Sequence, residues 1–575
     1  MCGIAGLIGV TDKTAALEKA SAMIAGLSHR GPDGVRLEQV GDHVLAHARL
    51  SIIDLEGGWQ PQHGAGSSVI GNGEIYNYLE LIEEFDLKDR LSSGSDFEPL
   101  LHLYALEGAA AFRRLRGMYG LCLVGQDGRI FLVRDPFGIK PLYVAPFLDG
   151  VAFASEASVL PGARAEEPAA LIEDLAALGY RTGAPPFGVI ALDPGEVAEV
   201  KEGRLIRHVD ALPRTPRLAK APANESAALV ALDRVLEDSV KVHQRSDVPY
   251  GLFLSGGIDS SIIATLMARL NARPVTAFTC GFDLKEAADE RAHAEKLARA
   301  LDLDWREVEF GEQDFWRLAP RVAAALDDPT TDFACLPTLK LAEAAKGTLT
   351  VVLSGEGGDE LFAGYGRYRR ALRPAFLGGR AAEPQVKAPY LKDGGTAALN
   401  RWRAAGANSE KGLLRQAQLA DQKTWLANDL LLKLDRMLMA EGLEGRTPFL
   451  DREVADFAAS LPDHLRVRGR MGKWLLRQWL AQHCPQSRPF ARKQGFTVPV
   501  AGWIAPRAAD LAGPVSKSAA FATVAVREEV RAAFLDEAQS ACRWPLLFTA
   551  LWWAIHEEGS APVAALNDLL GEAPA

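Results

Sequence analysis

Pro249-Tyr250-Gly251-Leu252-Phe253-Leu254 is a short apolar run that passes directly into Ser255-Gly256-Gly257-Ile258-Asp259-Ser260-Ser261. The first part reads as a strand. The glycine pair reads as a sharp turn, because glycine tolerates a positive φ and lets a backbone approach a ligand closely. A helix is expected from about Ser260 to Leu270, with a second strand, Val275–Cys280, straight after and a helix, Ala227–Val242, before. Strand, helix and strand in alternation predict a parallel α/β sheet. At the end of such a strand, the N–H groups of Gly257 through Ser261 and the positive end of the helix form an anion site. No Gly-Lys-Ser/Thr follows, so the loop is not the Walker type. It suits an α-phosphate and a departing pyrophosphate; an ordinary turn with Ser as N-cap is the plain alternative.

A second loop weighs against that alternative. Val351-Val352-Leu353 runs into Ser354-Gly355-Glu356-Gly357-Gly358-Asp359-Glu360. Three glycines and three carboxylates pack poorly, but they suit the carboxyl end of a parallel sheet, where ligands bind. Asp259 and Asp359 are candidate Mg²⁺ ligands, since that ion takes oxygen donors and substrate phosphates. Glu360 reads instead as a helix cap or a solvated charge.

Residues 1 to about 208 carry a different pattern. Short β-like runs (Val44–Ala46, Ser68–Ile70, Gly120–Val124, Arg129–Val133) alternate with Gly-rich turns, which predicts packed sheets with a few helices laid on them. The Pro- and Ala-rich stretch 211–224 reads as a linker. Downstream of about Arg370 the chain reads as mostly helical, with Trp474, Trp479, Trp552 and Trp553 in a core. At 575 residues, two or more domains are expected.

Composition narrows the class. The net charge of −10, with both signs interspersed, argues against nucleic acid as a partner. No run of about 18 apolar residues suggests a membrane span, and no signal peptide is expected at the N-terminus. The six scattered cysteines, with no C-x-x-C pair, fit a reducing cytoplasm without structural zinc. Cys2 stands directly behind Met1. With Met1 removed, one residue carries a thiol nucleophile and an α-amine of pKa about 7.7–8.0, able to act as its general base. A small buried cysteine in a first strand is the competing reading.

Several motifs together resemble the glutamine-hydrolysing asparagine synthetase family. They are Met1-Cys2-Gly3-Ile4, His29-Arg30-Gly31-Pro32-Asp33, Arg49-Leu50-Ser51-Ile52, Asn72-Gly73-Glu74-Ile75-Tyr76-Asn77, Gly94-Ser95-Asp96 and the run from Arg134 to Tyr143. In the second half they are Ser255–Ser261, Ser354–Tyr365, Glu444–Asp451 and Lys493-Gln494-Gly495-Phe496. The resemblance covers nearly the whole chain. It implies an N-terminal-nucleophile glutaminase with an αββα sandwich over 1–210, the linker, and a parallel-sheet α/β ATP-pyrophosphatase domain with a helical C-terminal part over 225–575.

By that resemblance Cys2 attacks the amide carbon of glutamine, and Asn72 with the Gly73 N–H forms the oxyanion hole. Arg49 grips the α-carboxylate, Ile52 lines the pocket, and Asp96 with Glu74 takes the α-ammonium. Leu254, Cys280 and Gly355 lie near adenine and ribose. Ser255, Gly257, Asp259 and Ser260 hold the pyrophosphate, and Ser354 belongs to the ATP site. Glu356 assists formation of the acyl-adenylate or deprotonates ammonia, and Lys473 neutralises phosphate charge. The implied substrates are glutamine, ATP with Mg²⁺, and aspartate; a homodimer is what the resemblance suggests for assembly.

One segment departs from the family. In Asp327–Thr338, Phe333, Ala334 and Cys335 replace a Ser-rich centre common in bacterial members. That leaves another carboxylate open as acceptor: a sugar acid, or a peptide-like or polymer-linked acid. A glutaminase or nitrogen sensor without synthesis is the reading from a different class; Asp259, Glu356, Asp359 and Lys473 speak against it.

Overall fold

The computed structural model describes residues 2–161, 169–215, 220–283, 291–373, 376, 382–386, 388–407, 412–491 and 498–572. Met1 and the Lys493–Phe496 motif lie outside the described residues.

Strands are numbered β1–β17 along the chain. The first sheet is antiparallel, in the order β10 (Ile190–Ala191), β8 (Tyr143–Phe147), β9 (Gly150–Ala154), β1 (Gly3–Ile8), β3 (His43–Arg49), β2 (Gly34–Val40). The second, also antiparallel, runs β12 (Arg204–His208), β11 (Val197–Lys201), β7 (Ile130–Arg134), β6 (Gly117–Val124), β5 (Ser67–Ile75), β4 (Gln62–Gly64). Strand side chains alternate between faces, and the cores show how these faces are used. Ile4 and Ile8 point inward with Leu45 against Ile70, Cys122 and Leu132 of the second sheet. Ala5 and Leu7 point outward onto Ala16, Ala20 and Met23 of the helix Lys13–Gly26. On the far side, Val69 and Leu121 meet Leu100 and Leu103 of the helix Glu98–Glu107. The layers are therefore helix, sheet, sheet, helix.

The third sheet is parallel throughout, in the order β15 (Asp304–Phe310), β14 (Thr276–Phe282), β13 (Tyr250–Phe253), β16 (Val351–Leu353), β17 (Glu444–Arg446). Leu252, Val351 and Leu353 pack on Leu232 and Ile262 of the helices Glu225–His243 and Ile258–Leu270. Phe278 and Val352 pack on Ala342 and Leu438 of the helices Cys335–Ala345 and Leu431–Met439. The helix Glu225–His243 starts where Asn224 caps it, its side chain accepting from Ala227 N–H at 2.9 Å. β17 interrupts the stretch that reads as helical beyond Arg370. Trp479 and Trp552 are buried as expected, whereas Trp474 and Trp553 are half-buried.

The two halves meet over charged and apolar surface. Arg30 and Arg436 are both buried among Glu156, Asp435 and Asp327. Beside this network Leu50, Ile52, Met118 and Phe137 of the first half share one apolar cluster with Leu236, Leu252 and Phe449 of the second.

Candidate active site

β1 and β3 carry Cys2 and Arg49 to one end of the sandwich. The Cys2 nitrogen lies 3.3 Å from Asn72 Oδ1, and its Sγ lies 3.8 Å from the Leu50 carbonyl oxygen. Arg30 Nε donates to the Cys2 carbonyl at 3.3 Å. Burial pushes the Cys2 thiol above its ordinary pKa. Asn72 is fully buried; with its Oδ1 facing Cys2, its Nδ2 amide group has no hydrogen-bond partner among the described residues.

Gly73 follows with φ +143, and a Cβ there would run into the Met118 carbonyl oxygen, so no larger residue fits. Opposite it, Tyr119 spends its N–H on Asp135 Oδ2 and its carbonyl on the Asp135 N–H. The alternation of an antiparallel ladder then turns the Gly73 N–H away from β6.

Glu74 and Asp96 are buried close enough to oppose each other's ionisation. Burial raises the Asp96 carboxyl to about 7, although it accepts the Ile75 N–H at 2.7 Å. Burial, Asp96 and Glu444 raise Glu74 well above the usual carboxylate range. Two such carboxyls suit a cationic group between them. Arg49 is buried, donates to the carbonyls of Asp54 (2.6 Å) and Leu55 (3.0 Å), and lies 4.9 Å from the Trp59 ring centroid. Ile52 is buried too, and its carbonyl accepts the Asp247 N–H of the second half at 2.9 Å. Trp59 lies in none of the motifs, and Leu50 lies in one but contributes through its backbone carbonyl, which no side-chain signal reveals.

The two glycine loops form one surface at the carboxyl ends of β13 and β16. Gly256 takes φ +72. Ser255 Oγ sits 3.0 Å from Ser260 Oγ and accepts the Gly257 N–H at 3.3 Å. No side chain caps the helix that begins at Ile258. Gly355 and Gly358 press on Asp259, where a Cβ at either would clash with its side chain. Leu254 is buried, and Cys280 is half-buried with its thiol raised to about 12 by burial. The Ser354 N–H donates to the Arg446 carbonyl at 2.8 Å.

Lys473 joins these loops from far along the chain. It caps the helix Trp474–His483 in the left-handed region, φ +54, and is buried. Its Nζ pairs with Asp259 and lies 2.7 Å from Asp359 Oδ1. Burial alone would lower the Lys473 pKa; the two aspartates outweigh it and hold the ammonium charged. Glu356 lies 3.6 Å from the buried Lys433, which also pairs with Asp332 at 2.9 Å. Burial raises the Glu356 carboxyl, against the pull of Lys433. Lys433 carries no motif signal: it is one of three charged residues, with Asp435 and Arg436, on the helix Leu431–Met439.

Glu360 is not solvated: it is fully buried, accepts from Tyr365 Oη at 2.5 Å, and is raised to about 8 chiefly by burial. In the acceptor segment, Cys335 is buried in the core and Phe333 packs against that core, while Asp332 alone of 332–335 pairs with Lys433. Asp327 and Asp328 serve the junction, held by Arg436 and Arg181. Among the described residues no three His, Cys, Asp or Glu side chains gather as a metal site. No helix of the described residues is long and apolar enough to cross a membrane.

The sandwich is of a recognisable class: residues 1–209 match the family described as a glutamine amidotransferase domain. Residues 231–555 match the family described as asparagine synthase. The chain belongs to the asparagine synthase family. It is 31% identical to asparagine synthetase [glutamine-hydrolyzing] 1 of Bacillus subtilis, over 88% of each chain. It is 32% identical to a putative asparagine synthetase [glutamine-hydrolyzing] of Mycobacterium tuberculosis, over 97% of this chain and 98% of that one. Among solved structures, an allosteric regulatory enzyme of purine biosynthesis overlaps at a TM-score of 0.28 and 13% identity, over 54% of this chain and 80% of that one. That score is too low to carry an argument.

Proposed function

We propose that the protein is a glutamine-dependent amide synthetase that converts aspartate to asparagine, with ATP cleaved to AMP and pyrophosphate. The observation that carries the first half of the reaction is Asn72. Its oxygen faces the Cys2 nitrogen while its own N–H groups stay buried without a partner among the described residues, a donor left for an oxyanion. With Met1 removed, the Cys2 nitrogen is the α-amine. It takes the thiol proton as Sγ attacks the amide carbon of glutamine. The oxyanion rests on Asn72 Nδ2 and the Gly73 N–H; the C–N bond then breaks as the α-ammonium returns the proton to the leaving nitrogen, ammonia leaves, and water hydrolyses the thioester to glutamate. Glu74 and Asp96 hold the α-ammonium, and Arg49, with Ile52 beside it, takes the α-carboxylate.

In the second half, the N–H groups of the Gly257–Ser260 turn, with Ser255 and Ser354, hold the α-phosphate and pyrophosphate. Adenine and ribose lie against Leu254, Cys280 and Gly355. A carboxylate oxygen of the acceptor attacks the α-phosphorus and pyrophosphate leaves; Lys473 balances the charge. Ammonia then attacks the acyl carbon, Glu356 takes its proton, and AMP leaves. Asp259 and Asp359 suit Mg²⁺, which often binds one or two carboxylates plus substrate phosphates; bound there with ATP, it would neutralise phosphate charge. For the acceptor, Lys433 and Asp332 beside Glu356 present one cation and one anion, matching the carboxylate and ammonium of an amino acid.

The test is AMP release from ATP with glutamine and a panel of carboxylates. Aspartate-dependent AMP supports the reading. AMP released only with a sugar acid or a polymer-linked acid replaces the acceptor; glutamate release without AMP under every acceptor refutes synthesis.

A further inference from the structure

Arg446 is fully buried and reaches both reactive regions. Its Nη2 lies 3.3 Å from Glu74 Oε1 in the first pocket. Its Nε donates to Glu444 at 2.5 Å, and its Nη1 donates to the carbonyls of His243 (2.8 Å) and Arg245 (2.6 Å) at the end of the helix Glu225–His243. The Tyr76 ring centroid is 5.6 Å from the guanidinium carbon. In the opposite direction, the Arg446 backbone carbonyl accepts the N–H of Ser354, the first residue of the second glycine loop. One residue thus fixes a carboxylate of the first pocket with its side chain and the opening amide of the second with its backbone.

The strand that carries it links the second loop to the first pocket. β17 is three residues long and, among the described residues, is the edge of its sheet, paired only to β16. β16 ends at Leu353, so a rearrangement of the Ser354 loop acts on β17 through the shared ladder and the Ser354–Arg446 bond. At the other end, Glu74 is held against two like charges, Asp96 and Glu444, with Arg446 opposing them. A small displacement of the guanidinium changes where that carboxyl lies.

We propose that Arg446 is a positioning residue through which occupancy of the nucleotide and acceptor site sets the affinity of the first pocket for glutamine. The inference rests on the function proposed above. Such coupling is a free energy shared between two sites and is reciprocal: glutamine would also tighten the binding of ATP and aspartate.

The experiment measures glutamate release by the full-length protein at varied glutamine, with and without ATP and aspartate, for the unsubstituted chain and Arg446→Lys. In the unsubstituted chain the second pair of substrates lowers the KM for glutamine about fivefold or more. In Arg446→Lys the two KM values agree within about twofold, because a lysine lacks the fork that joins Glu74, Glu444 and two carbonyls. A merely structural role would lower kcat in both conditions and leave the KM ratio unchanged; a variant retaining that ratio overturns the proposal.

Should Arg446→Lys not fold, hydrogen exchange of the unsubstituted chain decides. Adding ATP and aspartate is expected to change exchange in 71–77 together with 351–358 and 444–446. Changes confined to 255–261 and 351–360 overturn it. Absence of glutamate release under all conditions refutes the functional reading itself. Glutamate release with a KM indifferent to ATP and aspartate refutes the coupling alone.

Discussion

Arg30 grips Asp435 with two N–H groups, at 2.8 and 3.1 Å, across 405 residues of chain. Both side chains are out of solvent. Burial pushes the Asp435 carboxyl up, but Arg30 and Lys140 outweigh it and hold it below its ordinary value. Removing one partner of a buried pair strands the other charge and costs about 3–5 kcal/mol. Asp435→Ala is therefore expected to lower the urea midpoint sharply, and Arg30→Met with Asp435→Leu to recover part of that loss. A single variant as stable as the parent would show that the pair contributes nothing. Because the folded pKa of Asp435 is depressed, its contribution is present above its unfolded value and is lost as pH falls.

Cys2→Ala is expected to abolish glutamine-dependent synthesis while leaving synthesis from ammonium salts. Asparagine formation measured with each nitrogen source decides. Equal loss of both would contradict two separate sites.

In the proposed mechanism Asn72→Ala removes one oxyanion donor. The expected loss is about 10²–10³ in kcat for glutamine hydrolysis, with ammonia-dependent AMP release retained. A loss confined to KM would assign Asn72 to binding instead.

Lys473→Met removes the ammonium that pairs with Asp259 and Asp359. Acceptor-dependent pyrophosphate–ATP exchange is expected to fall by about 10²-fold or more, by analogy with other preorganised charges at a reacting centre. Glutamate release should persist. Exchange at the parental rate would rule out a role for Lys473 at the phosphates.

Asp96 supplies a pH signature, read jointly with Glu74 because the two titrate as a pair. The Asp96 carboxyl stands at about 7 in the folded chain, against about 3.9 unfolded. A raised carboxyl favours folding only while protonated. That contribution is complete below pH about 4 and is lost as pH rises through about 7. Glutamine has the opposite requirement, since its ammonium needs the anion, so its KM should climb as pH drops below about 7. A KM that stays flat from pH 5.5 to pH 8.5 would remove this pair from glutamine binding.

Local signals explain what was legible. The apolar run 249–254, its glycine pair and the following helix are neighbours in sequence, and β13 with the helix Ile258–Leu270 lies within a residue or two of the reading. β17 was hidden, because Glu444-Gly445-Arg446 has no apolar alternation; pairing with Val351–Leu353 makes it a strand. The candidate site divides the same way. Cys2, Asn72, Asp96 and Asp259 sit in motifs, whereas Lys433 on Asp332 and Arg446 on Glu74 are long-range meetings that no spacing encodes. Glu360 was misread because its burial comes from the packed surroundings of its helix, not from its loop.

The apolar cluster that joins Leu50, Ile52 and Met118 to Leu236, Leu252 and Phe449 bears on how this protein can be re-engineered. The first half cannot be swapped as a cassette between relatives, because the apolar cluster under its Leu50–Ile53 loop is completed by its neighbour. A workable chimera has to carry the Leu50–Ile53 loop and the helix Glu225–His243 from the same parent, so that the graft boundary falls outside their contact.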